Sequence, residues 1–219
     1  HGETIAFIGS TGSGKSTLIN LVPRFYDATG GEVLVDGVNV KELKQATLRK
    51  KIGIVPQKGI LFSGSVKENI AFSDPSLPQE KIEEAAKIAE ADPFIREMPE
   101  GYDSPISQGG KNVSGGQKQR LCIARAIATG AEILIFDDSF SALDYKTDRK
   151  VRENLAERAK GTTKLIVAQR IGTIMDADLI VVLDEGKAVG MGKHKDLLRD
   201  CSVYREIALS QLSKEELGL

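Results

Sequence analysis

Ile5 Ala6 Phe7 Ile8 Gly9 Ser10 Thr11 Gly12 Ser13 Gly14 Lys15 Ser16 Thr17 is the stretch that decides the fold. Its four leading apolar residues read as a buried strand. Gly9 to Ser16 fits the pattern G-x-x-x-x-G-K-[ST], and Ser16 to Arg24 reads as the helix that follows. Glycines let the backbone curl so that successive N–H groups point inward as an anion nest, with the positive end of the next helix behind them. In such a turn the lysine bridges the β- and γ-phosphates of a nucleotide and the serine hydroxyl holds Mg²⁺. Average residue usage produces the eight-residue pattern by chance in about one chain of this length per hundred, before a flanking strand and helix are required.

The rest of the chain supplies a setting for that turn. At 219 residues it suggests one large domain, or a core with a lobe. Hydrophobic residues at 41% and charged residues at 28% are those of an ordinary globular protein, whereas 22 glycines exceed usual usage. Thirty Lys+Arg against 31 Asp+Glu leave a net charge of -1, which argues against nucleic-acid coating or a polybasic membrane surface. Local phosphate sites remain. The longest apolar stretches, Ile133 to Phe136 and Leu179 to Leu183, fall far short of the roughly 20 residues of a membrane-spanning helix. No basic-then-apolar leader precedes Gly2, so no secretion signal is read. Cys122 and Cys201 stand at no metal-ligand spacing and read as small buried hydrophobes.

Outward from the turn, Val33 Leu34 Val35 and Val38 Asn39 Val40 flank Asp36 Gly37, a two-residue hairpin signal. A polar helix over Glu42 to Lys50 leads to a strand, Ile52 to Val55, stopped by Pro56. Ser65 and Glu68 form a capping-box pair, and Gln79 to Ala91 is a charged helical pattern. With no strand signal before Ile133, residues 65–128 read as a mostly helical insert. Strands at Ile133–Phe136, Leu165–Ala168 and Leu179–Leu183 then alternate with a helix at Tyr145–Ala159. This interleaving predicts an α/β fold with a parallel sheet covered on both faces. A hairpin at Glu185 Gly186 and a helical tail from Val203 to Leu217 close the chain.

Two further elements carry chemistry. Ile133 to Phe136 ends in Asp137, and an acid released at a strand tip beside a phosphate loop completes the magnesium site of P-loop proteins. Val113 Ser114 Gly115 Gly116 Gln117 opens a run with helical spacing, where Ser114 and the free N–H groups of a helix start make a second anion receptor.

With these motifs the chain resembles the nucleotide-binding domain of ATP-binding cassette (ABC) transporters, from Gly2 to about Arg205. The likeness rests on the phosphate loop, Gln57 after Val55 Pro56, the segment Ser104 to Asn112, the signature Val113 to Gln117, Asp137, and Ser141 Ala142 Leu143 Asp144, in family order. It implies a P-loop NTPase with a RecA-like parallel-sheet core, small antiparallel β hairpins and a helical subdomain: core 1–64 and 129–219, helical subdomain 65–128. It implies ATP and Mg²⁺ as ligands, held by Gly9 to Thr17, with Ser16, Gln57 and Asp137 at the metal. Gln57 is implied to sense Mg²⁺ and the attacking water and to couple to a transmembrane domain. Ser141 to Asp144 is implied to cross a dimer interface in which each ATP lies between one subunit's phosphate loop and the other's signature. Leu61 Phe62 Ser63 Gly64 Ser65 Val66 Lys67 Glu68 Asn69 Ile70 and the tail Val189 to Leu197 are similar to exporter sequences. His194 in that tail reads as structural.

Departures from the family pattern shape the expected mechanism. Asp138 stands where the family has a glutamate as general base, one methylene short of the reach a base needs. Gln169 stands where hydrolysing members carry a histidine, and glutamine neither takes up charge nor relays a proton. Together they imply a degenerate site, familiar in heterodimeric exporters: a weak ATPase that binds ATP while its signature serves a partner's catalytic site. Ser104 to Gly110 lacks the two carboxylates of the exporters' upstream loop, which puts its contact to the coupling helices in doubt. The aromatic residue that stacks on adenine in the family is expected upstream of His1.

The expected partners are a second nucleotide-binding domain, by this resemblance a different subunit, and a transmembrane domain fused upstream, with no nucleic acid. That places the chain at the cytoplasmic face of the cell membrane. The alternatives are a slowly hydrolysing homodimer, a soluble translation-type cassette ATPase and a nucleotide sensor that never turns over. The interval from Lys15 to Ser114 is too short for the coiled coil of chromosome-type members.

Overall fold

The computed structural model describes residues 1–219. In chain order the elements are β1 (Thr4–Gly9), α1 (Lys15–Ile19), β2 (Leu34–Val35), β3 (Val38–Asn39), α2 (Gln45–Lys50), β4 (Ile52–Val55), β5 (Gly64–Ser65) and α3 (Val66–Ile70). Next come α4 (Gln79–Ile88), α5 (Asp92–Glu97), β6 (Pro105–Ile106), α6 (Gly115–Ala128), β7 (Ile133–Asp137), α7 (Tyr145–Arg158) and β8 (Thr163–Val167). The chain ends with α8 (Ile171–Ile174), β9 (Leu179–Asp184), β10 (Lys187–Gly192), α9 (His194–Asp200) and α10 (Ser202–Leu209).

Six strands form one sheet in the order β10-β9-β1-β8-β7-β4. All neighbours run parallel except β10, which returns antiparallel along β9. Apolar strands joined by helical crossovers cover both faces of such a sheet. Alternate residues accordingly go to opposite sides: Ala6, Ile8, Leu134, Phe136 and Ile166 join the main core of 41 buried residues. Ile135 and Val167 face the other way, onto Ile19, Leu48, Val35 and Val40. Residues 65–128 form a mostly helical block whose α6 packs on α3 and α4 and against β4. No helix is long and apolar enough to cross a membrane.

Several elements differ from expectation. The first helix stops at Ile19 instead of Arg24, since Pro23 has no N–H to continue the ladder and Arg24 turns to φ 55. The insert holds a hairpin, β5 with β6, that two-residue strands of Gly, Ser and Pro do not announce. The tail helix expected over Val203 to Leu217 is α10, which starts at Ser202 and already ends at Leu209, and a further helix, α9, precedes it. Ser213 starts its own turn, its Oγ accepting from Glu216 N at 3.2 Å while Glu216 accepts from Ser213 N at 2.8 Å.

Candidate nucleotide site

The C-terminal ends of β1, β7 and β8 converge on the Gly9–Ser16 turn. Gly9 lies against β9 so closely that a Cβ there would meet Leu183 O at 1.9 Å, and Gly14 enters α1 at φ +94. Lys15 is 9% exposed. Its Nζ donates to Gly9 O at 2.8 Å, Ser10 O at 2.7 Å and Ser13 Oγ at 3.2 Å, folding the cation over the loop. Burial lowers its pKa from the usual lysine value, against the raising charges of Asp138 and Asp137. A pocket of about 190 Å³ opens on Gly12, Gly14, Lys15, Ser16 and Thr17. A larger cavity, about 710 Å³, lies elsewhere, by Phe62, Phe72 and Ile82, so size does not locate this site.

Ser16 Oγ donates to Asp137 Oδ1 at 2.7 Å across 121 residues of sequence. A hydroxyl and a carboxylate side by side form the hard-oxygen donor set that Mg²⁺ takes. Outside this pair, no group of three His, Cys, Asp or Glu side chains is placed to hold a metal. The loop's free N–H groups, Lys15, and the Ser16–Asp137 pair therefore fit a magnesium nucleotide.

Asp138 is 6% exposed and sits at φ 48, a left-handed backbone uncommon outside glycine. Its Oδ2 accepts from Gln57 Nε2 at 3.0 Å and Gln169 Nε2 at 2.7 Å. Burial pushes the Asp138 pKa up, the two glutamines pull it down, and the neighbouring Asp137 charge pushes it up again. Gln57, Asp138 and Gln169, far apart in sequence, are thus brought together. In this arrangement Gln57 is bonded to Asp138, while the Ser16–Asp137 pair stands beside it.

At the signature, Ser114 caps α6: its Oγ accepts from Gln117 N at 3.2 Å and Gln117 Oε1 accepts from Ser114 N at 2.9 Å. Gly115 and Gly116 form the first turn, and a Cβ on Gly116 would stand 3.6 Å from Ala142 O. The signature therefore adjoins the Ser141–Asp144 loop of its own chain. Asp144 caps α7, accepting from Thr147 N at 2.9 Å.

Two residues that the sequence did not single out tie this region together. Arg170 donates to Leu143 O at 3.0 Å and to Ser141 O at 2.9 Å, with its guanidinium 4.9 Å from the Tyr145 ring centre. Gln211 bonds the backbone of residues 169 and 171. Arg170 follows Gln169 directly, a proximity that could have flagged it; a lone glutamine in a polar tail carries no such signal.

The profile of the ABC transporter family matches residues 1–141. The chain belongs to the ABC transporter family. That is a family of ATPases whose nucleotide-binding domains bind ATP with Mg²⁺. A Staphylococcus aureus (strain NCTC 8325 / PS 47) relative, whose name assigns it to multidrug export as an ATP-binding/permease protein, is 48% identical over 206 residues. A counterpart of the same name from the bovine strain RF122/ET3-1 is 47% identical. Each alignment takes in 94% of this chain and 36% of the relative. A solved bacterial Atm1-family ABC exporter with ATP bound superposes with a TM-score of 0.91 at 39% identity, again over 94% of this chain and 36% of that one. The expected P-loop NTPase fold, with its parallel sheet, small hairpins and helices, is the fold found. The chain spans about a third of the length of the relatives it matches.

Proposed function

We propose that this chain is the ATP-binding portion of a membrane exporter, bound to a transmembrane portion at the cytoplasmic face of the cell membrane. It closes head to tail on a second nucleotide-binding domain. The single observation that carries the nucleotide reading is the convergence of Lys15 on Gly9 and Ser10 with Ser16 on Asp137, at the tips of three parallel strands. In this reading the N–H groups of Gly9 to Thr17 and Lys15 hold the phosphates, and Ser16, Gln57 and Asp137 hold Mg²⁺. Bound Mg²⁺ supplies neutralisation of charge on the β- and γ-phosphates.

The chain's own site is proposed to hydrolyse slowly. A general base has to reach the attacking water, and the Asp138 oxygen that would do so is held by two glutamine amides. Gln169 cannot relay a proton. Ser114 to Gln117 then serve a partner's nucleotide, and Ser141 to Asp144 meet that partner, a different subunit. A second reading, a homodimer with slow Asp-based hydrolysis, is favoured by the 48% identity to proteins named as ATP-binding and permease parts together.

Turnover of the isolated chain decides between them. Slow hydrolysis, raised by Asp138→Glu with Gln169→His, supports the first reading; a rate typical of enzymes, to which the changes add nothing, overturns the degenerate site and leaves a homodimer. Failure of ATP to bind with Mg²⁺ at the Gly9–Thr17 loop overturns both.

A further inference from the structure

We infer that Gln211 is a positioning residue for the nucleotide site: its side-chain amide clamps the backbone at residues 169–171. It thereby holds Gln169 against Asp138 and Arg170 under the Ser141–Leu143 loop. This rests on the ATP-site reading above and adds to it a control exerted from the far end of the chain.

The geometry is that of a peptide group reproduced by a side chain. Gln211 Nε2 donates to Gln169 O at 2.7 Å, and Gln211 Oε1 accepts from Ile171 N at 2.9 Å. The partners settle which end of the amide is which, because a carbonyl only accepts and an N–H only donates. Both backbone groups need such a partner. Ladder bonding of β8 to β1 runs out at Ala168, whose N donates to Phe7 O at 3.2 Å, so Gln169 lies beyond the sheet. Ile171 opens α8, where an N–H has no partner within its own helix, and Arg170 at the N-cap supplies no side-chain cap.

Gln211 is itself held. It lies two residues beyond α10, its N donates to Ala208 O at 3.1 Å, and Ala208 and Tyr204 are fully buried where α10 packs on β1 and β9. The clamp therefore transmits the position of a docked helix to three consecutive residues. Rotation about the 169–170 linkage would break it, swinging Gln169 Nε2 off Asp138 and Arg170 off Leu143 O and Ser141 O.

The test uses full-length protein carrying Gln211→Ala or Gln211→Glu. An ionised Glu keeps the acceptor for Ile171 N but sets an anionic oxygen against Gln169 O; a protonated Glu donates an O–H there and restores both bonds. Hydrogen exchange of the Ile171 amide, measured without nucleotide, is expected to quicken about tenfold in Gln211→Ala, with the Phe7 amide unchanged. With Mg-ATP, kcat is expected to fall by roughly tenfold at unchanged KM: Asp138 freed from Gln169 is still one methylene short of the water and bonded to Gln57, whereas release of Arg170 costs the Ser141–Leu143 loop its placement and leaves the phosphate loop untouched. Gln211→Glu is expected to show the same loss near pH 8, and its rate relative to wild type climbs as pH falls towards about 5.

Unchanged Ile171 exchange in both variants overturns the proposal, as does a kcat loss in Gln211→Glu that is flat with pH, or one carried by KM. If wild type fails to bind ATP, the ATP-site reading falls, and the Ile171 exchange still decides whether the clamp exists.

Discussion

Gln169 Nε2 donates to Asp138 Oδ2 at 2.7 Å, closing a contact between two strand ends, β7 and β8, at the tip of the sheet. Gln57 donates to the same oxygen at 3.0 Å. The carboxylate is therefore held by neutral amides, and in the function proposed above it stands where the general base would act.

From that pairing the effects of changing the two residues are expected to be non-additive. Asp138→Glu alone adds reach but leaves the carboxylate facing two amide donors, whereas adding Gln169→His removes one donor and supplies a group that can carry a proton. The pair is expected to raise the turnover of the chain by ~100-fold, the scale of a general base, and the single change by far less. A double-mutant cycle on kcat checks it; equal and additive single effects would show that the Gln169–Asp138 bond does not restrain the site.

Much of this arrangement was legible in the sequence because it is built from local signals. The phosphate loop needs glycines at fixed spacing, Asp137 ends an apolar strand, Ser65 and Glu68 are an i, i+3 capping pair, and Ser114 precedes a helix start; each is found in place. What escaped depends on contacts distant in sequence. The β5–β6 pair is held by contacts 40 and 42 residues apart, Ser65 with Pro105 and Gly64 with Ile106, and its Gly, Ser and Pro do not announce a strand. Gln211 meets the 169–171 backbone only because α10 docks on the sheet, which no periodicity in a polar tail encodes.

Arg125 is expected to be a principal stabiliser of the helical block. From α6 it donates to Asn69 O at 2.7 Å, Ile60 O at 2.8 Å and Asn69 Oδ1 at 2.8 Å, and lies within 5.4 Å of the ring centres of the stacked Phe62 and Phe72. A lysine cannot reproduce this fork. Arg125→Lys is expected to cost about 2 kcal/mol in urea denaturation, since at least one acceptor loses a charged donor. A loss under about 0.5 kcal/mol, the range of ordinary surface changes, would contradict it.

Ser16→Ala separates magnesium binding from folding. Ser16 is exposed and its Oγ bonds only Asp137, so stability is expected to stay within about 0.5 kcal/mol of wild type. The tightening of ATP binding by Mg²⁺ is expected to fall at least about tenfold, because one of the three oxygen donors proposed for the metal, Ser16, Gln57 and Asp137, is gone. Titrating a fluorescent ATP analogue with and without Mg²⁺ measures this; an intact Mg²⁺ effect would place the metal elsewhere.

His194 is expected to make stability fall at acid pH. Its Nδ1 lies 2.7 Å from the hydroxyl of the fully buried Tyr204, joining α9 to α10. Burial lowers its pKa below the usual 6.5, opposed by Asp176 and helped by Lys195. The folded state therefore prefers the neutral ring, hydrogen-bonded through Nδ1 to the Tyr204 hydroxyl. An unfolded chain takes up the proton first as pH falls, so the stabilisation is complete above 6.5 and is lost as pH drops from there through the folded value. His194→Gln, which keeps an acceptor but does not titrate, is expected to flatten that part of the pH–stability curve in urea denaturation between about pH 7.5 and pH 5. If wild type and variant lose stability in parallel over that range, other groups govern the acid response and the α9–α10 contact is indifferent to protonation.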